Sequence, residues 1–260
     1  MQLNEGSNVV SLMSSDPLVL CSLAAIIFVA GIVRGCIGFA FSALVIAAGS
    51  LFLSPVLLVP MVVLLEVAAS VQMLPSALPS VHWRAHNWLL AALVLATPIG
   101  VYGLAIAPDQ LLRLVVALLM LIMAGVMMKG VRFSGDLGRA HLLFVGFVAG
   151  LFNGVAGIGG MPIAVYLGSS SISLAQMRAT MVALFFGIEA LFIVSAIFNH
   201  LYDRTIVLSA VAALLPMAVG VWVGTRVFDR VDEKKLRRAT VYGLFALALL
   251  GLFRAILSML

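Results

Sequence analysis

Charge is what this chain has least of. Only 10% of its 260 residues are Asp, Glu, Lys or Arg, while 64% are hydrophobic. An ordinary globular chain carries about a quarter charged and under half apolar residues, so a soluble fold is excluded. Cysteine is almost as scarce. Cys21 and Cys36 both fall in apolar sequence, which argues against a disulfide framework and against a Cys-based metal site. The first 17 residues contain Glu5 and Asp16 but no Lys or Arg. They lack the basic start and short apolar core of a secretory signal peptide and read as a short mature tail. The formal charge of +5 does not point to nucleic acid, because the basic residues sit mostly between apolar segments, which is the signature of membrane insertion.

What is present is apolar sequence in long stretches. A hydrocarbon core about 30 Å thick takes roughly 20 residues per helical crossing. Breaks at Pro, Gly and charge give segments near 18–50, 55–76, 87–106, 110–129, 139–168, 177–199, 204–227 and 236–258. The whole of 1–260 reads as a single transmembrane domain in an all-α polytopic membrane protein. Segments 18–50 and 139–168 are too long for one crossing and too short for two joined by a loop, and glycine interrupts both at mid-length.

The two interruptions superpose. Gly31-Ile-Val-Arg34-Gly35-Cys36-Ile-Gly38 matches the first eight residues of Gly150-Leu-Phe-Asn153-Gly154-Val-Ala-Gly157-Ile-Gly159-Gly160-Met-Pro162 at a shift of 119. The chain therefore reads as two repeats, about 18–129 and about 139–258. If each interrupted segment enters and returns on one face, the loops around 129–139 and 226–238 fall on one side. Eleven basic residues then face the cytoplasm, and Arg113, Arg204 and Arg254 face outward, as insertion favours. Each repeat becomes a re-entrant or broken helix pair plus three transmembrane helices, and an odd number of crossings inverts the second repeat relative to the first. Both termini are then expected outside.

Arg34 is the sharpest signal for function. A guanidinium in apolar sequence costs several kcal/mol unless it faces protein, water or a counter-charge. At a broken helix it reads either as a ligand for an anion, helped by free backbone N–H groups, or as a structural Arg paired with Glu66 or Glu189 or snorkelling to the interface. Asn153, the matching position, either donates its amide to a substrate oxygen or caps a half-helix. The flanking glycines serve either close helix packing or an unwound stretch offering N–H groups. On that second reading Arg34, Gly35, Cys36, Gly38, Asn153, Gly154, Gly157, Gly159 and Gly160 are the candidate substrate-binding residues. Glu66 and Glu189 lie near mid-span, each in the helix after an interruption, and are candidate proton-coupling groups; ion pairing with Arg34 and neutral burial are the alternatives. His82 and His86 are spaced like metal ligands but lack a third partner, and with Trp83 and Trp88 they read better as an interfacial anchor. No metal or other cofactor is expected.

The duplicated Gly-x-x-x-Gly-x-x-Gly breaks, the Gly-Ile-Gly-Gly-x-Pro run at 157–162 and the Pro-then-Gly-x-x-x-Gly pattern at 216–224 resemble the TauE/SafE sulfite exporter family, also called the toluene-sulfonate uptake permeases. The likeness is strongest in the second half; the first has Phe39-Ala-Phe-Ser42 where a glycine-rich run and a following Pro are usual. The resemblance implies transport of a sulfur-containing anion such as sulfite, thiosulfate or a sulfonate in a bacterial cytoplasmic membrane, without ATP. The expected partners are a small anion and the lipid bilayer. A secondary transporter alternating access between the two repeats is the leading reading, possible proton coupling included, and a passive anion channel or a membrane scaffold is the alternative. An intramembrane enzyme finds no support, since neither metal-ligand sets nor a nucleophile with a buried base occur at membrane depth.

Overall fold

The computed structural model describes residues 17–129, 138–227 and 233–257. The tail at 1–16 and the loop residues Arg132 and Arg230 lie outside the described residues. Among the described residues the chain is helical, with no strand. The order is α1 (Pro17–Ile37), α2 (Phe41–Gly49), α3 (Pro55–Ala77) with a single 3-10 turn at Leu78–Ser80, α4 (Trp83–Ile106) and α5 (Asp109–Met128). A second set follows: α6 (Arg139–Ala156), α7 (Gly160–Gly168), α8 (Leu174–Phe198), α9 (Arg204–Val227) and α10 (Glu233–Leu257). The pattern of one long, one short and three long helices thus occurs twice.

Local chemistry sets the ends. Ser54 accepts from the Val56 N–H ahead of Pro55 in the first turn of α3, where proline's missing donor is no loss. The Ser54 hydroxyl also donates to Asp109 at the start of α5. Helix α8 opens with a capping box between Ser173 and Gln176, and His82 caps α4 by accepting from the Ala85 N–H. The breaks themselves rest on Gly38 and Gly157, both in the left-handed region at φ 80° and 64° and equivalent at the shift of 119. Only glycine adopts that conformation without penalty.

Among the described residues eight helices are long and apolar enough to cross a membrane, α1 and α6 included. This departs from the expected pairs of half-helices: the first member of each pair is a full-length helix of 21 or 18 residues, and only α2 and α7, at 9 residues each, are short. Gly31, Gly35, Gly150 and Gly154 lie inside continuous helix, and the breaks fall three residues beyond the expected polar positions, after Ile37 and after Ala156. The reason is packing. A Cβ on Gly35 would sit 2.5 Å from the Val221 carbonyl oxygen, and Gly31 faces Met217 and Gly220. In the matching seam a Cβ on Gly100 would sit 2.6 Å from the Leu151 carbonyl oxygen and close on Gly154. Small residues allow this backbone-to-backbone approach, which substitutes in lipid for a hydrophobic driving force.

The seams cross between the repeats. Helix α1 packs on α9, and α6 packs on α4, so the first helix of each set lies against the fourth of the other. Helices α3 and α8 pack on each other, as do α5 and α10. Outward faces carry Leu95, Phe144, Phe198 and Leu215, each about 70% exposed or more, an arrangement tolerable in lipid and unfavourable in water.

Candidate functional site

The polar residues singled out in the sequence converge where α1 and α6 end against α3 and α8. Arg34, in the last turn of α1, is completely buried. Its Nη2 donates to Ser70 Oγ at 2.8 Å, and its Nη1 reaches Glu66 Oε1 at 3.5 Å. Its guanidinium lies over the Phe185 ring, 4.3 Å from the centroid, a cation–π contact worth more when dry than in water. Charge-assisted N–H···O bonds ordinarily close to about 2.7–2.9 Å, so the ion pair is loose and Ser70 holds the shorter bond. Glu66 Oε1 also accepts from the Ser42 backbone N–H at 3.2 Å, in the first turn of α2. The short helix thus presents its N-terminus to the carboxylate, as helix ends favour.

The second repeat builds a counterpart without a cation. Asn153 Nδ2, near the end of α6, donates to Glu189 Oε2 in α8 at 3.3 Å. The amide expected to face a substrate oxygen is therefore engaged by a carboxylate. Asn153 and Phe185 line one cavity and the Arg34 guanidinium lies over the Phe185 ring, so one guanidinium and two carboxylates belong to a single cluster. A cavity with room for about one water molecule lies against Asn153, Gly159 and Phe185. A Cβ on Gly159 would strike the Ala149 carbonyl oxygen and Asn153, and one on Gly160 would strike the Phe185 ring. Both glycines therefore let α7 close on the cluster.

Three buried polar atoms of this centre have no hydrogen-bond partner: Arg34 Nε, Glu66 Oε2 and Asn153 Oδ1; Thr97 Oγ1, on α4 where its backbone faces Gly154, has none either. Each such orphan costs about 1–3 kcal/mol, and orphans of both hydrogen-bonding kinds in one place suit a small polar ligand or water.

The structure thus brings together Arg34, Asn153, Glu66, Glu189, Gly159 and Gly160. It separates Gly35 and Gly154, which belong to the seams, and Cys36, whose buried thiol donates to the Gly224 carbonyl. Gly38 packs on Arg178, and Gly157 on Ile46 and Val59. Ser42, Ser70 and Phe185 join the site without having been foreseen. Ser70 was findable, since it lies one helical turn after Glu66 on the same face; nothing in the sequence distinguishes Phe185. His86 meets Asn87 and stands edge-on to Trp83. Among the described residues no three His, Cys, Asp or Glu side chains come together as a metal site.

The sulfite exporter TauE/SafE family matches the chain over residues 23–250. The chain belongs to that family. It is accordingly a multi-pass membrane transport protein and not an enzyme. No curated protein and no solved structure matches it.

Proposed function

We propose that this TauE/SafE protein is a secondary transporter of a small sulfur oxyanion, sulfite foremost, and that Arg34 is the group that binds it. The observation that carries the reading is the buried, loose Arg34–Glu66 pair with an unpartnered guanidinium Nε. A carboxylate is itself an oxyanion, so Glu66 occupies the place a substrate would take. An incoming anion then has to displace Glu66, and a displaced carboxylate buried without its cation is unfavourable unless it takes up a proton. Anion and proton are thereby coupled through one cation. Glu189, held by Asn153, is a second carboxylate able to accept a proton in the same cluster.

Asn153, Gly159 and Gly160 would form the far wall of the site, while Gly35, Cys36, Gly38, Gly154 and Gly157 would support the two breaks. A bacterial cytoplasmic membrane with both termini outside and the second repeat inverted goes with this reading where α1–α2 and α6–α7 each return to the face they enter, since that arrangement puts the basic loops on one side.

Sulfite uptake into proteoliposomes, with and without an imposed pH gradient, tests this. Saturable uptake driven by the gradient is expected, together with loss of gradient dependence in Glu66→Gln and loss of uptake in Arg34→Ala. Non-saturable flux would indicate a pore, and indifference of the wild type to the gradient would remove the proton from the scheme.

A further inference from the structure

A second cavity, of about 80 Å³, opens between the end of α3 and the start of α8. Ser76 and Ser80 line it from one side, and Ala175 and Arg178 from the other; all but Arg178 are exposed. Its floor is formed by Met73 and Val182, 3% and 0% exposed.

Helical spacing ties this cavity to the buried cluster. On α3, Glu66, Ser70, Met73 and Ala77 follow one another at steps of four, three and four, and Ser80 continues the row in the 3-10 turn. On α8, Ala175, Arg178, Val182, Phe185 and Glu189 follow at three, four, three and four. Residues at such steps share one face, and α3 and α8 pack on each other. Two facing stripes therefore run from the open cavity, past Met73 and Val182, to Ser70, Glu66 and Phe185 around Arg34. Arg178 stands at the outer end and Arg34 further in. Arg178 also donates from Nη2 to the Gly35 carbonyl at 2.6 Å, which ties the cavity wall to the residue next to Arg34.

We propose that this cavity is the mouth of the anion's route, with the Arg178 guanidinium and the Ser76 and Ser80 hydroxyls as a first, outer anion site. Met73 and Val182 are the shut constriction between it and Arg34. The ligand class is a small oxyanion, which accepts hydrogen bonds from the Arg178 guanidinium and the Ser80 hydroxyl, and from Ser76 once its hydroxyl turns away from the Met73 carbonyl it donates to at 2.9 Å. An anion bound there competes with the Gly35 carbonyl for Arg178 and so loosens the end of α1 that carries Arg34. The proposal rests on the transport reading above.

The test uses full-length protein with Cys21→Ala, which removes the exposed thiol and leaves Cys36 buried. An environment-sensitive maleimide fluorophore on Ser76→Cys is titrated with sulfite, and uptake is measured in parallel. Attachment at Ser76→Cys should lower sulfite uptake at least about tenfold, whereas attachment at the outward-facing Leu95→Cys should not. The fluorescence titration should weaken about tenfold in Arg178→Gln, the scale of one charge-assisted hydrogen bond, and recover in Arg178→Lys. It should persist in Arg34→Ala, which no longer transports. Unchanged uptake by the labelled Ser76→Cys protein, or equal titrations of that labelled protein with and without Arg178→Gln, would overturn the outer site while leaving the transport reading intact. Absence of sulfite uptake by the unlabelled wild type would remove both.

Discussion

The two broken-helix tips share a backbone and differ in charge. Gly38 and Gly157 turn the chain at equivalent points, yet one tip carries a buried guanidinium against Glu66 and the other a neutral amide against Glu189. The scaffold occurs twice, and on the reading proposed above a site for a small anion has use for only one cation. A second buried guanidinium would carry its own desolvation penalty, whereas an amide can complete the hydrogen bonding without added charge.

The largest test of this difference removes each side chain in turn. Arg34→Met strands Glu66 and should lower stability by about 3–5 kcal/mol. Asn153→Leu removes only one amide bond from Glu189 and should cost about 1–3 kcal/mol. Thermal unfolding in detergent measures both, and equal losses would mean that the tips are not energetically distinct. Adding Glu66→Gln to Arg34→Met should restore most of the stability and none of the transport.

The seams should respond alike, because there the repeats are alike. Gly35→Leu and Gly154→Leu each force a side chain against the backbone of a neighbouring helix and should each cost about 1–3 kcal/mol or more. A large difference between them would show that one seam is dispensable. The smallest effects separate the breaks. Ala40 sits in the left-handed region at φ 73°, where the equivalent residue of the second repeat is Gly159 with φ −57°. Ala40→Gly should raise stability by up to about 1 kcal/mol, and Gly157→Ala should lower it by about 1–2 kcal/mol, since a left-handed conformation penalises any Cβ by roughly that amount. Melting temperatures that move in the same direction would contradict the assignment.

Much of this was legible in the sequence, because membrane insertion leaves few choices for apolar stretches of about 20 residues. The repeat, the glycine breaks and the meeting of Arg34 with Glu66 could be read as open alternatives. What the sequence did not settle is how Gly31 and Gly35 are used. Small residues four apart serve close packing and unwinding equally well, and only the partner helix decides; here Gly220 and Gly224 lie opposite. The expected half-helices failed for the same reason, since α1 stays helical where α9 supports it. Nothing in the sequence singles out Arg178; its bond to the Gly35 carbonyl places it beside the residue that follows Arg34.

The exchanged seams also limit how such a protein can move. Because α1 is laid on α9 and α6 on α4, pulling the two sequence halves apart as rigid blocks would break both glycine contacts at once. The units able to shift intact are the mixed couples, each made of helices from both halves. Arg34 then belongs to one couple and Asn153 to the other, so on the transport reading proposed above a tilt of one couple past the other about the α3–α8 contact would be the motion that opens the site to either side.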